Sequence, residues 1–284
     1  MKRLFRRSKL AILSATALLL GGFANNASAT LIEVTVTNTS PTGGLSLTPL
    51  YFGFHNGSVD LFDLGMAASA GIAEIAETGD FGPLRDERID MQGGSVGAAA
   101  FGFGGVIGDD PGEPPVLEPG ESATFTIDLD AFANRFLFFA SMILPSNDTY
   151  IGVDDPMQFA LFDAVGNFLG PQTIDVTSAF AFDAGSEAND PNLGPAFVVG
   201  QDINLGGPGE GTIQAAMSLS DFVGLSLAGG MSLNPDLIDF INDPNFVFAT
   251  ISIREVPLPP ALLLMGMGLG ALGYKTKRQR KSHQ

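Results

Sequence analysis

A hydrolase needs a positioned base or nucleophile, and His55 is the one histidine outside the C-terminal segment, where His283 lies. It sits in the turn His55-Asn56-Gly57, behind the apolar Tyr51-Phe52-Gly53-Phe54, a setting that favours a structural role over a catalytic one. No Gly-x-Ser-x-Gly elbow is present to support a Ser-His-Asp constellation. Paired carboxylates would suit a glycosidase, but with 31 acidic residues in the chain close pairs arise without any chemistry to perform. Gly102-Phe103-Gly104-Gly105 lacks both the preceding strand and the Lys-Ser/Thr pair of a phosphate loop. The residues therefore point to a protein that acts by binding rather than catalysis, with a secreted carbohydrate-active hydrolase using acidic residues as the alternative.

The two ends say where such a protein works. Lys2, Arg3, Arg6, Arg7 and Lys9 precede the apolar run Leu10 to Phe23, which leads to Ala27-Ser28-Ala29. This order of charged, apolar and small residues is that of a secretory signal spanning 1–29, cleaved after Ala29. The run is shorter than the roughly 20 residues a spanning helix needs. At the other end, Val256-Pro257-Leu258-Pro259-Pro260 is followed by the apolar stretch Ala261 to Tyr274 and by Lys275, Lys277, Arg278, Arg280 and Lys281. Proline is tolerated in the first turn of a helix, so a short transmembrane helix is expected from about Pro260, and the cations would hold its end in the cytoplasm. Four glycines thin that segment, which suits a transient anchor.

The tail at 256–284 resembles the PEP-CTERM sorting signal of Gram-negative bacteria, with Val256, Pro257 and Pro259 in the processing motif and Leu258 where that family usually carries Glu. The resemblance implies an exosortase as processing partner, a passing attachment to the inner membrane, and delivery to the cell surface or biofilm matrix. A plain C-terminal anchor is the competing reading.

Composition narrows the partners. Ten of the 14 basic residues lie in the two ends, leaving Arg85, Arg88, Arg135 and Arg254 against all 31 acids between them, a formal charge of −27. Such a field makes nucleic acid and anionic lipid surfaces poor partners and favours divalent cations and basic surfaces, although acidity also serves solubility alone. Without cysteine, neither disulfides nor thiolate metal sites contribute. The absence of tryptophan argues against a typical sugar-stacking site, and the 23 Phe read as core. Residues 30–255 suffice for one core in one domain.

The elements in that stretch read as short strands between turns. Leu31 to Thr37 and Ser122 to Asp130 alternate apolar and polar residues, the pattern of half-buried strands, and the apolar Arg135 to Leu144 reads as a central strand. Gln158 to Phe162, Gln172 to Ser178, Ala196 to Val199 and Phe246 to Ile253 are further strand candidates. Met66 to Thr78 has a helical pattern, Asn234 to Ile241 reads as a capped helical turn, and the Gly- and Pro-rich 93–120 as a long mobile loop. The expected fold is mainly β, an antiparallel β-sandwich with one or two short helices.

Ser141 to Asp154, with its Leu144-Pro145-Ser146-Asn147-Asp148, resembles the strand-and-loop signature of the spondin N-terminal domain. Val36-Thr37-Asn38 through Leu47-Thr48-Pro49, Glu77-Thr78-Gly79-Asp80, and Phe182-Asp183-Ala184-Gly185-Ser186-Glu187 agree with it in order. The resemblance implies a C2-like sandwich and, as in the animal members, a bound calcium and adhesive interactions with an extracellular polysaccharide or surface protein. By motif, Asp148 and Asp183 are the best matched ligands and Asp128 a weaker one, with Asp154 and Asp155 as extra oxygens. Calcium takes six to eight hard oxygens at flexible geometry, which loop carboxylates supply; solvated loop acids are the competing explanation. The cysteines and thrombospondin repeats of the animal relatives are absent, so their receptor binding does not carry over.

Overall fold

The computed structural model describes residues 29–90, 96–100, 116–209, 211–227, 232–233 and 243–257. The leader, the tail beyond Pro257 (Pro259 included) and the turn expected at Asn234 to Ile241 lie outside the described residues. Among the described residues, no helix is long and apolar enough to cross a membrane.

Alternation builds the smaller sheet. In β1 (Thr30–Asn38) the side chains of Ile32, Val34 and Val36 are fully buried, while Glu33, Thr35 and Thr37 face outward, because successive residues of a strand point to opposite faces. β1 pairs antiparallel with β5 (Ser122–Leu129) and with β12 (Ala249–Glu255), and β9 (Gln172–Val176) completes the order β5-β1-β12-β9.

The larger sheet is eight-stranded, and β6 (Phe136–Leu144) is its centre, buried along its whole length. β6 pairs with β7 (Thr149–Ile151) and β3 (Leu50–His55), and also with the short β2 (Ser46–Leu47) and β8 (Phe159–Ala160). Beyond β7 lie β10 (Ala181–Asp183) and β11 (Gln214–Ala215); beyond β3 lies β4 (Val96–Ala100). Phe52 and Phe139 share the face turned toward the smaller sheet, where Phe52 meets Phe125 with ring centroids 5.3 Å apart. On the opposite face Phe138 lies over Gly53, where a Cβ would overlap the ring. That face is covered by α1 (Ala70–Thr78) and α2 (Gly82–Asp90), with Tyr51 stacked on Phe81 at 5.7 Å. The protein is thus mainly β: among the described residues two antiparallel sheets form a sandwich, and two short helices pack on the outside of the larger one.

Four elements differ from the expectation. α1 begins at Ala70 rather than Met66, because the Ser69 hydroxyl accepts the Ile72 N–H at 3.2 Å and caps the helix there. α2 was not expected, since its charged sequence carries little apolar periodicity. Tertiary contact sets it instead: Glu87 accepts from the Gly71 N–H at 2.7 Å and the Ser69 hydroxyl at 2.8 Å, and a Cβ on Gly71 would press against Leu84. Finally, β4 falls within the segment expected as a loop, paired with β3 from Leu50↔Ala100 to Phe54↔Val96. Of the strand expected at Ala196 to Val199, only a bridge between Val198 and Leu227 forms.

The two ends of the sandwich are distinct. The chain enters at Thr30 and leaves at Glu255 side by side, with Ile32 opposite Glu255 and the Val256 N–H donating to Leu31 O at 2.8 Å. Leu129, Phe136 and His55 belong to this entry end. At the far end, the Asn38 amide donates to Leu45 O and Leu117 O, beside the Ser46↔Leu144 pairing that closes β6.

Candidate functional site

The far end holds a pair of buried carboxylates. After β6 the chain turns on Ser146, whose hydroxyl donates to Ile143 O at 2.8 Å and accepts the Thr149 N–H at 3.1 Å. That turn carries Asp148 to the start of β7. In the neighbouring strand Asp183 lies opposite Thr149, so the pairing of β7 with β10 brings the two acids together across 35 positions of sequence. Asp148 is wholly buried and Asp183 is 4% exposed.

The segment after β10 wraps the pair. Gly185 adopts φ 64 and donates its N–H to Asp183 Oδ1 at 2.8 Å; a Cβ there would collide with the Thr212 backbone, so only glycine fits. The N–H groups of Ser186 and Glu187 converge on Asp148 Oδ2 at 2.9 and 3.0 Å. Asn189 then closes the cage. Its Oδ1 accepts the Asn147 N–H at 3.0 Å, which fixes the amide's orientation. Its Nδ2 lies 2.8 Å from Asp183 Oδ2, 3.0 Å from Thr149 Oγ1 and 3.2 Å from Asp148 Oδ1. One neutral amide nitrogen thus sits among three oxygens from three residues.

The electrostatics of this cage are unfavourable to ionisation. Burial, then the charge of Asp183, pushes Asp148 up to about 7, against the opposing effect of the two backbone N–H donors. Glu187 is likewise raised to about 7, by burial and by Glu77. The Tyr150 hydroxyl, fully buried, has no hydrogen-bond partner among the described residues, and burial followed by Asp154, Asp148 and Asp183 raises its pKa well above the ordinary value. Asp148 makes no ion pair among the described residues.

The other expected site residues fall elsewhere. Asp128 lies opposite Leu31 on β5, exposed on the outward face of the smaller sheet. Asp155 caps its own turn through the Met157 N–H at 2.9 Å, and Asp154 acts on Tyr150 and Asp60. Among the described residues no group of three or more His, Asp or Glu side chains is arranged to hold a metal. His55 is fully buried at the end of β3, where Nδ1 accepts the Gly57 N–H at 3.1 Å and the ring lies between Phe136 and Phe138; burial lowers its pKa to about 4. Ala29 and Pro257 are exposed at the entry end, with Val256 half-buried between β12 and the tail.

Asn189 was not among the sequence candidates. Its only sequence signal is its place in the polar run Glu187-Ala188-Asn189-Asp190, six positions after Asp183.

Hard oxygens are the chemistry a calcium ion requires, and Asp148, Asp183 and Thr149 present them around one point. The donor set fits the ion in kind; in number it needs Asn189 to withdraw its NH2 or turn its carbonyl inward, with water supplying the remainder.

Comparison with protein-family models found none that matches the chain, and comparison with curated proteins found no match.

Proposed function

We propose that the chain is an exported surface or biofilm-matrix protein of a Gram-negative bacterium, whose spondin-like sandwich acts by binding and uses calcium to order the loops at its far end. The observation that carries the reading is the buried Asp148–Asp183 pair, bridged by a neutral amide where a cation would relieve the repulsion. Asp148 and Asp183 would hold the ion, with Thr149 as a third donor. The ion would add positive charge between the two acids and tie β7 to the loop after β10.

Export is supported by the order of residues in 1–29 and 256–284 and by the acidic, cysteine-free stretch between them. The tail would be removed by an exosortase after holding the chain at the inner membrane. His55 lends no support to catalysis, being enclosed by aromatic rings and bonded to its own turn. The partner is an extracellular polysaccharide or a surface protein.

Retention of the protein on the producing organism's own exopolysaccharide, with calcium and with chelator, tests the reading. Calcium-dependent retention without soluble sugar products is expected. Release of sugar products would replace this reading with the hydrolase alternative.

A further inference from the structure

The entry end exposes apolar side chains, as do other loops of the sandwich, Met66, Val199 and Leu205 among them. Phe132 in the β5–β6 loop is 57% exposed, Val165 at the tip of the Asp163–Asn167 turn 74%, Leu169 55% and Met157 59%. Phe132 and the turn that carries Val165 are neighbours, since a Cβ on Gly166 would come 3.0 Å from the Phe132 ring. The Leu169 N–H donates to Leu161 O and the Leu161 N–H to Arg135 O, just before β6, and Met157 lies beside Gly57 just past the end of β3. Singly exposed apolar side chains are ordinary, so what distinguishes these four is that they share one end of the sandwich.

The place where the chain leaves the sandwich says what covers this surface. β12 ends at Glu255, and the apolar stretch starts at Ala261. The six Cα–Cα steps from Glu255 to Ala261 reach at most about 22 Å even when fully extended. Any bilayer that holds Ala261 to Tyr274 is therefore within that distance of the entry end. The far end, with Asp148 and Asp183, stands off by the nine residues of β1, about 30 Å.

We infer that the entry end is a lipid-facing surface, on which Phe132, Met157, Val165 and Leu169 enter the headgroup region of the bilayer while the tail holds the chain. This rests on the reading of the tail as a membrane anchor. The charges around the patch choose the lipid. Asp130 accepts the N–H groups of Phe132 and Ala133 at 2.9 Å, and Asp163 those of Val165 and Asn167 at 2.9 and 2.8 Å, which keeps both ionised beside the apolar tips. Anionic headgroups are repelled there, so the surface fits a zwitterionic leaflet. Contact on one side orients the sandwich, with the carboxylate cage turned away from the membrane toward its partner.

The absence of cysteine makes the test direct, since one introduced thiol is the only one to label. Val165→Cys and, as the control at the other end of β5, Ser122→Cys are prepared in the chain from Thr30 onward with its tail intact. Each carries an environment-sensitive dye and is reconstituted in phosphatidylcholine vesicles. The dye at Val165 is expected to shift to the blue and lose intensity to acyl-brominated lipid, while the dye at Ser122 does neither. If the chain sediments with the vesicles but both dyes report water, the anchor reading stands and the lipid-facing surface is overturned. A blue shift at Val165 without quenching by brominated lipid would place a second copy or another protein on this patch and would equally overturn the lipid-facing surface. If the chain does not sediment, the anchor reading fails and takes the surface with it.

Discussion

Asp148 and Asp183 share one amide: Nδ2 of Asn189 lies 3.2 Å from a carboxylate oxygen of the first and 2.8 Å from one of the second. Two acids in neighbouring strands are thereby bridged by a neutral group, in a site from which water is largely excluded. A hydrogen bond to each carboxylate satisfies its oxygen but does not cancel its charge, and burial first, then repulsion from Asp183, raises the pKa of Asp148.

The first consequence is a pH dependence. The folded-state pKa of Asp148 is about 7 against an ordinary 3.8, and that of Glu187 about 7 against 4.5. Raised values mean that the folded chain binds more protons, so this contribution to stability is fully present below the unfolded pKa and is lost as pH rises through 7. His55, lowered from 6.5 to about 4, acts oppositely, costing stability as pH falls from 6.5 toward 4. The carboxylates are therefore isolated above pH 6.5. In chelator, urea titrations at pH 6.5 and 8 should show a loss on the order of 1 kcal/mol. In Asp148→Asn the loss should be smaller; an equal loss in the variant would remove Asp148 as its source.

Asn189→Ala separates the bridge from the site. Removal leaves Asp148, Asp183 and the Asn147 N–H short of a partner, which should cost about 1–3 kcal/mol in chelator. With the amide gone, the pair is free to take a cation, so added calcium should raise the melting temperature more than in the parent chain. A smaller calcium shift would instead assign the Asn189 carbonyl as a ligand.

The packing between β3 and β6 can be tested independently of the site. Gly53→Ala places a methyl group into the Phe138 ring, and overpacking of this kind costs about 1–3 kcal/mol. In a Phe138→Leu background the same substitution should cost less, because residues in contact are not additive. Equal costs in both backgrounds, measured by denaturant titration, would contradict the contact.

The sequence makes the strands of this fold readable where one face meets the core and the other does not. Ile32, Val34 and Val36 against Glu33, Thr35 and Thr37 announce β1, and the unbroken apolar run announces β6 because that strand is buried on both faces. α2 and β4 were illegible for the converse reason. Leu84, Glu87 and Gly97 owe their places to partners distant in sequence: Gly71, Ser69 and the Tyr51 ring. The site was half legible. Asp148 and Asp183 could be picked out by motif, but their distance apart depends on the pairing of β7 with β10, and nothing local in the sequence ties Asn189 to either. Asp128 could be assigned to a strand, yet only the sheet order shows that this strand belongs to the other sheet.

The most direct measurement is the melting temperature of the sandwich in calcium and in chelator, for the parent chain and for Asp148→Asn. Binding to the folded state alone at a hundred times the dissociation constant adds about 2.7 kcal/mol, roughly 5–10 °C for a domain of this size. That rise is expected in the parent chain and none in the variant. Identical melting of the parent chain in calcium and chelator would overturn the calcium reading.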